Sequence, residues 1–287
     1  MKDLAVNGFE FEWGSRTYVM GILNITPDSF SGDGLEEGEL EPILERARKF
    51  VEAGADILDV GGESTRPGAS QVSAQEEIDR VLPVITALSS QFQTLISIDT
   101  YKSEVAKEAL KAGASMLNDV WGLMVDPALG EVARETGAPL ILMHNRSNPS
   151  NTAVKEKLGG RYIGVEYENL LEDVKRELLD SVSLAHQAGV PDGQIILDPG
   201  IGFGKTVEQN LELVNRLDEI RDLGYPVLLG PSRKSFIGYT LDLPPNDRIE
   251  GTGAAVSVGI TRGADIVRVH DVQEMVRISR MTDALIR

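Results

Sequence analysis

Cysteine is absent from the chain. Disulfide scaffolds, thiolate zinc sites, iron–sulfur clusters and cysteine nucleophiles are therefore excluded. Long apolar runs are missing as well: no stretch of about eighteen such residues occurs, so no membrane span is expected. The opening stretch MKDLAVNGFEFEWG has no continuous apolar core and does not read as a signal peptide. Positive charge is scarce, with 28 Lys and Arg against 45 Asp and Glu, a net charge of −17 and a pI near 4.6. A generic nucleic-acid binder needs a basic surface and is excluded, and docking to anionic membranes is disfavoured. A soluble cytoplasmic protein is the expectation.

What remains is ordinary globular composition, 41% hydrophobic and 25% charged over 287 residues. That suits one large α/β barrel or two smaller cores. One phrase recurs: an amphipathic helix, a glycine stop, then a short apolar run. The stops are Gly54, Gly113, Gly137, Gly189, Gly224 and Gly263, placed where glycine ends helices. Apolar runs follow at Ile57–Val60, Met116–Leu117, Leu140–Met143, Ile195–Leu197, Val227–Leu229 and Ile266–Val269. With Val19–Leu23 and Leu95–Ile98 they make eight strand candidates. The runs lack alternation, as in a parallel sheet buried on both faces. Helices are expected over Pro42–Ala53, Ala74–Leu88, Lys102–Ala112, Tyr162–Ala188, Val207–Asp222 and Val272–Ile286. The pattern predicts a closed (β/α)8 TIM barrel, with an open doubly wound sheet as the alternative. No low-complexity linker divides it, so residues 1–287 read as one domain. Residues 18–287 would form the barrel, and 1–17 a hairpin at its floor turning at Asn7-Gly8. The polar segment Arg146–Gly160 reads as a mobile loop.

Polar residues gather where each apolar run stops: Asn24, Asp59 and Glu63, Asp99, Asn118 and Asp119, His144, Asp198, Ser232 and Lys234, Arg268 and His270. In a parallel barrel these ends meet on one face, the face that carries active sites. Helix capping explains one such residue but not a set recurring at every strand. A buried carboxylate such as Asp198 suits a guanidine-like heterocycle edge with two parallel N–H donors. Lys234, Arg268, His270 and Arg66 supply local positive charge for an anion. Screening confines the repulsive global field to roughly 8 Å at physiological salt. The loop Gly200–Thr206 only superficially resembles a phosphate-binding P-loop, because Pro199 stands where the first glycine is required.

The segments Gly21–Ser31 (GILNITPDSFS) and Asp59–Ala69 (DVGGESTRPGA) resemble the signature loops of the dihydropteroate synthases, a family of pterin-binding enzymes. Ser97–Thr100, Asn118-Asp119, Leu142–His144, Leu197–Gly200, Ser232–Ser235 and Arg268–Asp271 match the same family in order. The resemblance implies condensation of p-aminobenzoate with a 6-hydroxymethyl-7,8-dihydropterin diphosphate, giving dihydropteroate and pyrophosphate in folate biosynthesis. It places Asp99, Asn118, Met143, Asp198 and Lys234 around the pterin. Asn24, Arg268 and His270 would face the diphosphate, with Mg2+ bridging Asn24 and phosphate oxygens. Thr65, Arg66, Pro67, Phe203 and Ser235 would receive p-aminobenzoate, the side at which sulfonamides would compete. Asp99, Lys234, Arg268 and His270 would carry the chemistry, and the family implies a homodimer. One departure stands out: after Phe30-Ser31 the chain reads Gly32-Asp33-Gly34 where the family has Asp-Gly-Gly, which leaves Asp33 without an assigned role. Trp121 reads as packing, and His186 as structural. The alternatives are a non-catalytic pterin-binding paralogue and a pterin-dependent methyltransferase. The segments Ser64–Pro67 and Ser232–Ser235 argue against the methyltransferase.

Overall fold

The protein is described by a computed structural model covering residues 4–25, 37–64, 69, 71–148, 151–155 and 157–287. A two-stranded antiparallel hairpin comes first, β1 (Leu4–Val6) and β2 (Phe9–Phe11). Asn7 and Gly8, at φ 50° and 81°, form the expected turn; two left-handed residues match the twist of tight hairpins.

The barrel follows. Its strands are β3 (Tyr18–Asn24), β4 (Ile57–Gly61), β5 (Leu95–Asp99), β6 (Met116–Asp119) and β7 (Leu140–Met143). After the small hairpin β8 (Thr152–Lys155) and β9 (Gly159–Tyr162) come β10 (Ile195–Asp198), β11 (Leu228–Leu229) and β12 (Ile266–Val269). The eight-stranded sheet has the order β10-β7-β6-β5-β4-β3-β12-β11, and a parallel bridge from Leu197 to Val227 closes it into a cylinder. Around it lie α1 (Glu37–Ala53), α2 (Ala74–Gln91), α3 (Ser103–Ala112), α4 (Ala128–Thr136) and α5 (Leu170–Ala188). They are followed by α6 (Val207–Asn215), α7 (Asp218–Arg221), α8 (Ser235–Leu241), α9 (Ile249–Thr261) and α10 (Val272–Ile286). All six glycine stops have positive φ, between 73° and 119°. The barrel is closed, and the open doubly wound sheet is ruled out.

The strands do alternate, although the sequence hides it. Val19, Leu58, Ile96, Leu117, Leu142, Leu197, Leu229 and Val267 face the helices. Tyr18, Met20, Ile57, Leu95, Met116, Ile141, Ile196, Leu228 and Ile266 fill the barrel floor with Leu4, Val6 and Phe11 of the hairpin. Near the floor both faces are apolar, so a period of two cannot be read from the residues.

Three expectations need correction. Arg146–Gly160 is in part ordered structure, because Thr152–Lys155 pairs with Gly159–Tyr162 as β8 and β9. Its partners are remote: the Leu158 carbonyl accepts from Arg248 Nη2 at 2.8 Å, and Lys157 pairs with Asp242. The helix expected from Tyr162 begins instead at Leu170, after Asn169, whose side chain accepts the Glu172 N–H. The Val207–Asp222 helix is split into α6 and α7.

Candidate active site

Two residues above the floor, the same inward-facing positions turn polar. Ile57 gives way to Asp59, Leu95 to Ser97 and Asp99, Met116 to Asn118, Ile196 to Asp198, and Ile266 to Arg268. Strand pairing sets them on one rim, since Asn24 lies opposite Gly61, Gly61 opposite Asp99 and Asp99 opposite Asn118. Asp198 lies opposite Met143.

Arg268 is the hub. Its Nε donates to Asp59 Oδ2 at 2.6 Å and its Nη2 to Asp99 Oδ2 at 2.6 Å, while Asn118 Nδ2 donates to Asp59 at 3.2 Å. Burial opposes the charge on Arg268, but Asp59 and Asp99 outweigh it and hold its pKa above the ordinary value. One guanidinium between two carboxylates leaves an excess negative charge. Burial first, and Asp59 against the help of Arg268, therefore push Asp99 up to about 7. Burial likewise lifts Asp198 to about 6, opposed by the Gly200 N–H, Lys234 and Arg268. These are sites where neutral N–H donors would make ionisation favourable again.

The opposite wall is apolar. Met143, Val120, Phe203 and Tyr162 form one cluster, with Tyr101 and Trp121 packed against it. Lys234 Nζ lies 3.9 Å from the centre of the Phe203 ring, a cation–π contact. Lys234 is aimed inward by a strained neighbour, since Arg233 has φ 56°. A left-handed non-glycine residue costs of order 1–2 kcal/mol. The strain is held by Arg233 Nε on Asp271 at 2.9 Å, Thr252 Oγ1 on its N–H at 3.1 Å and Arg248 Nη1 on its carbonyl at 2.8 Å. Ser235 opens α8 directly after Lys234. His270 is fixed by Ser232, whose Oγ accepts the His270 N–H at 3.1 Å and lies 3.0 Å from Nδ1.

Asn24, Asp99, Asn118, Met143, Asp198, Phe203, Lys234, Ser235, Arg268 and His270 are thus all set around the C-terminal ends of the barrel strands or on the loops that leave them. Thr65, Arg66, Pro67 and Asp33 lie outside the described residues. Three other rim residues are structural. Asp119 accepts the Trp121 and Leu123 N–H groups, Glu63 pairs with Lys102 at 2.5 Å, and His144 turns to Glu177 and Lys205. His186 bonds to Asp192 on the surface, as expected of a structural histidine. Two residues of the site carried no assignment from sequence. Asp59 stands out at its strand end, but its pairing with Arg268 and Asn118 appears only in the fold. Tyr162, with its ring stacked on Phe203 at 6.1 Å, belongs to a hairpin that only tertiary contacts reveal. Among the described residues no helix is long and apolar enough to cross a membrane.

Residues 20–270 match the family model described as pterin binding enzyme. The dihydropteroate synthase of Clostridium beijerinckii is 49% identical over 285 residues, 99% of this chain and 100% of that protein. A solved dihydropteroate synthase from Clostridium difficile, in the presence of pteroic acid, has a TM-score of 0.87 and 48% identity, covering 96% of this chain and 99% of that one. The Xanthomonas albilineans dihydropteroate synthase with 4-aminobenzoic acid has a TM-score of 0.87 at 36% identity, covering 99% of this chain and 97% of that one.

Proposed function

The chain belongs to the pterin-binding enzyme family, and on that premise we propose how its barrel mouth works. The activity is that of dihydropteroate synthase, a transferase of folate biosynthesis joining p-aminobenzoate to a dihydropterin diphosphate. The observation that carries the reading is the convergence of Asp59, Asp99, Asn118 and Arg268 in one hydrogen-bonded cluster, with Asp198 and Lys234 electrostatically coupled to it.

The pterin lies deepest. Asp198 and Asp99 accept its ring N–H groups, Asn118 adds an amide, Lys234 donates to the ring carbonyl and a ring nitrogen, and Met143 packs on the ring face. Arg268 and His270 meet the diphosphate with Asn24. The carbon–oxygen bond at the exocyclic methylene breaks first, and its electron pair leaves on pyrophosphate. Arg268 and His270 stabilise that growing charge, so they act mainly in the transition state. The cation left on the methylene is delocalised into the pterin and faces the Asp99 carboxylate. The aniline nitrogen, held along Phe203 with Thr65, Arg66, Pro67 and Ser235, attacks it and sheds a proton to solvent.

Among the described residues no group of three or more His, Asp or Glu side chains is set to hold a metal. A lone amide oxygen at Asn24 fits Mg2+, which is commonly bound through one or two protein oxygens plus substrate phosphates and water. Mg2+ would neutralise charge on the diphosphate there.

The assembly is proposed to be a cytoplasmic homodimer built on one barrel unit. Ala254 and Val258 leave an exposed apolar strip on α9, and Val258→Glu with light scattering tests that part. The central test is pyrophosphate release. Coupled to dihydropteroate formation, it should require both substrates, fall on EDTA treatment, and be competitively inhibited by sulfonamides against p-aminobenzoate. Failure to form dihydropteroate with both substrates and Mg2+ present would reject the reading, and noncompetitive inhibition would reject the placement at Phe203.

A further inference from the structure

The loop between β10 and α6 is wrapped around an ammonium group to which, among the described residues, no carboxylate is bonded. Lys205 is only 3% exposed. Its Nζ lies 2.9 Å from the Gly200 carbonyl, 3.0 Å from the Phe203 carbonyl and 3.0 Å from His144 Nδ1. His144 Nε2 is 3.0 Å from Glu177 Oε2, and Glu177 is gripped in turn by Arg146, with Nε at 2.9 Å. The carboxylate takes the imidazole hydrogen, so Nδ1 is left as an acceptor. Lys205 therefore faces three acceptors, and only the protonated amine has three N–H groups to serve them. A neutral amine leaves one of them bare in a buried place.

The loop has little rigidity of its own. Gly200, Gly202 and Gly204 all have positive φ, and a Cβ at Gly200 would stand 1.8 Å from the His144 carbonyl oxygen. The Gly200 N–H donates to Asp198 Oδ1 at 2.7 Å, and the His144 N–H to the Asp198 carbonyl at 2.9 Å. Phe203 carries the ring under Lys234. One ammonium thus holds the backbone two residues after Asp198 and at Phe203 itself, together with the His144 ring.

We propose that Lys205 is a positioning residue for the reaction: its ammonium, by holding the Gly200 and Phe203 carbonyls and the His144 ring, sets the Asp198 carboxylate and the Phe203 ring that the two substrates meet. This rests on the placement of pterin at Asp198 and p-aminobenzoate at Phe203. The charged groups facing Lys205 are Asp198 of β10, Glu177 of α5, Lys234 before α8, and His144 and Arg146 after β7. Burial dominates and holds the lysine down to about 7; Asp198 and Glu177 oppose the fall, while Lys234 and Arg146 add to it. The lock therefore loosens as pH rises through that region.

Lys205→Met keeps the length and removes the donors. Hydrogen exchange in the full chain should speed up about tenfold across residues 199–206, and KM for p-aminobenzoate should rise about tenfold while kcat changes much less. In the wild type that KM climbs above about pH 7, and in Lys205→Met the climb is gone. Glu177→Gln retains the lysine and its acceptors but removes a negative neighbour, so the climb moves to lower pH; this variant serves if the methionine variant does not fold. Unchanged loop exchange in Lys205→Met, or a climb that persists in it, overturns the proposal; so does a climb unmoved in Glu177→Gln. Phe203→Ala separates the two readings. If it leaves KM for p-aminobenzoate unchanged, the subsite placement has failed. If it raises KM where Lys205→Met does not, the lysine proposal alone has failed.

Discussion

The floor and the mouth of the barrel are built from the same strands, two residues apart, and they do opposite things with burial. The floor is apolar but for Trp13 Nε1 and the Tyr18 hydroxyl, which accepts the Glu12 N–H, and is sealed by the hairpin, where Phe11 packs edge-on against Tyr18 at 4.8 Å and stacks on Trp13 at 4.8 Å. The mouth buries Asp59, Asn118 and Asp198 at 0–4% exposure, and among the described residues Asp59 Oδ1 and Ser97 Oγ have no hydrogen-bond partner. Burying polar groups that are not fully paired costs stability. One end of each strand therefore secures the fold, and the other carries the incompletely paired polar groups to which the proposed function assigns the ligand. Stability and chemistry are divided along the barrel axis.

The division is tested most strongly at the floor. Phe11→Ala should lower unfolding free energy by about 3–5 kcal/mol. Its kcat should remain near the wild-type value at temperatures where the variant stays folded. Denaturation and steady-state kinetics on one preparation decide it, and a large loss of kcat in folded protein would erase the distinction. Next comes Arg268→Ala, which removes the group aimed at departing charge. It should lower kcat by about 10²–10³-fold, or about 3–4 kcal/mol, with a much smaller change in the dissociation constant of a pterin lacking the diphosphate. Asp198→Ala should do the reverse, weakening that pterin by about 2–3 kcal/mol, roughly 30- to 150-fold. An affinity within about twofold of wild type, some 0.4 kcal/mol, would put the pterin elsewhere.

The same contrast governs what the sequence made legible. Strand ends announced the mouth, because a polar residue after each apolar run recurs too regularly for capping. Asp59 was visible at its strand end but its role was not, since that depends on Arg268, 209 positions away. Lys205 lies at the end of a glycine-rich loop and drew no role from sequence; its three acceptors come from the folded loop and from the residue after β7. The helix α9, IEGTGAAVSVGIT, is apolar on most sides and offers no stripe at the helical period, and α8 is only seven residues long. Periodicity finds elements that bury one face. It is silent where both faces are covered, or where polar partners arrive from distant sequence.

The smallest effect expected is the one that measures what the mouth costs. Asp99 is held at about 7 by burial and by Asp59, against an ordinary carboxylate value of 3.8. Between those values the folded chain binds more protons at this position than the unfolded chain, so stability contributed here falls as pH rises and is fully lost above about 7. Asp198, lifted to about 6, acts in the same direction, whereas Lys205, lowered to about 7, acts in the opposite sense above neutrality. Comparing wild type with Asp99→Asn cancels both, because the amide retains an oxygen for Arg268 and does not titrate. The melting temperature of Asp99→Asn relative to wild type should therefore increase from pH 5 to pH 8. Each unit of realised shift is worth about 1.4 kcal/mol, or about 2–4 °C for a domain of this size. The same variant should bind pterin less tightly at pH 8, where the wild-type carboxylate is charged. A difference flat across that range would mean that the carboxylate sits at the mouth without penalty, and that the mouth is as well paired without a ligand as the floor.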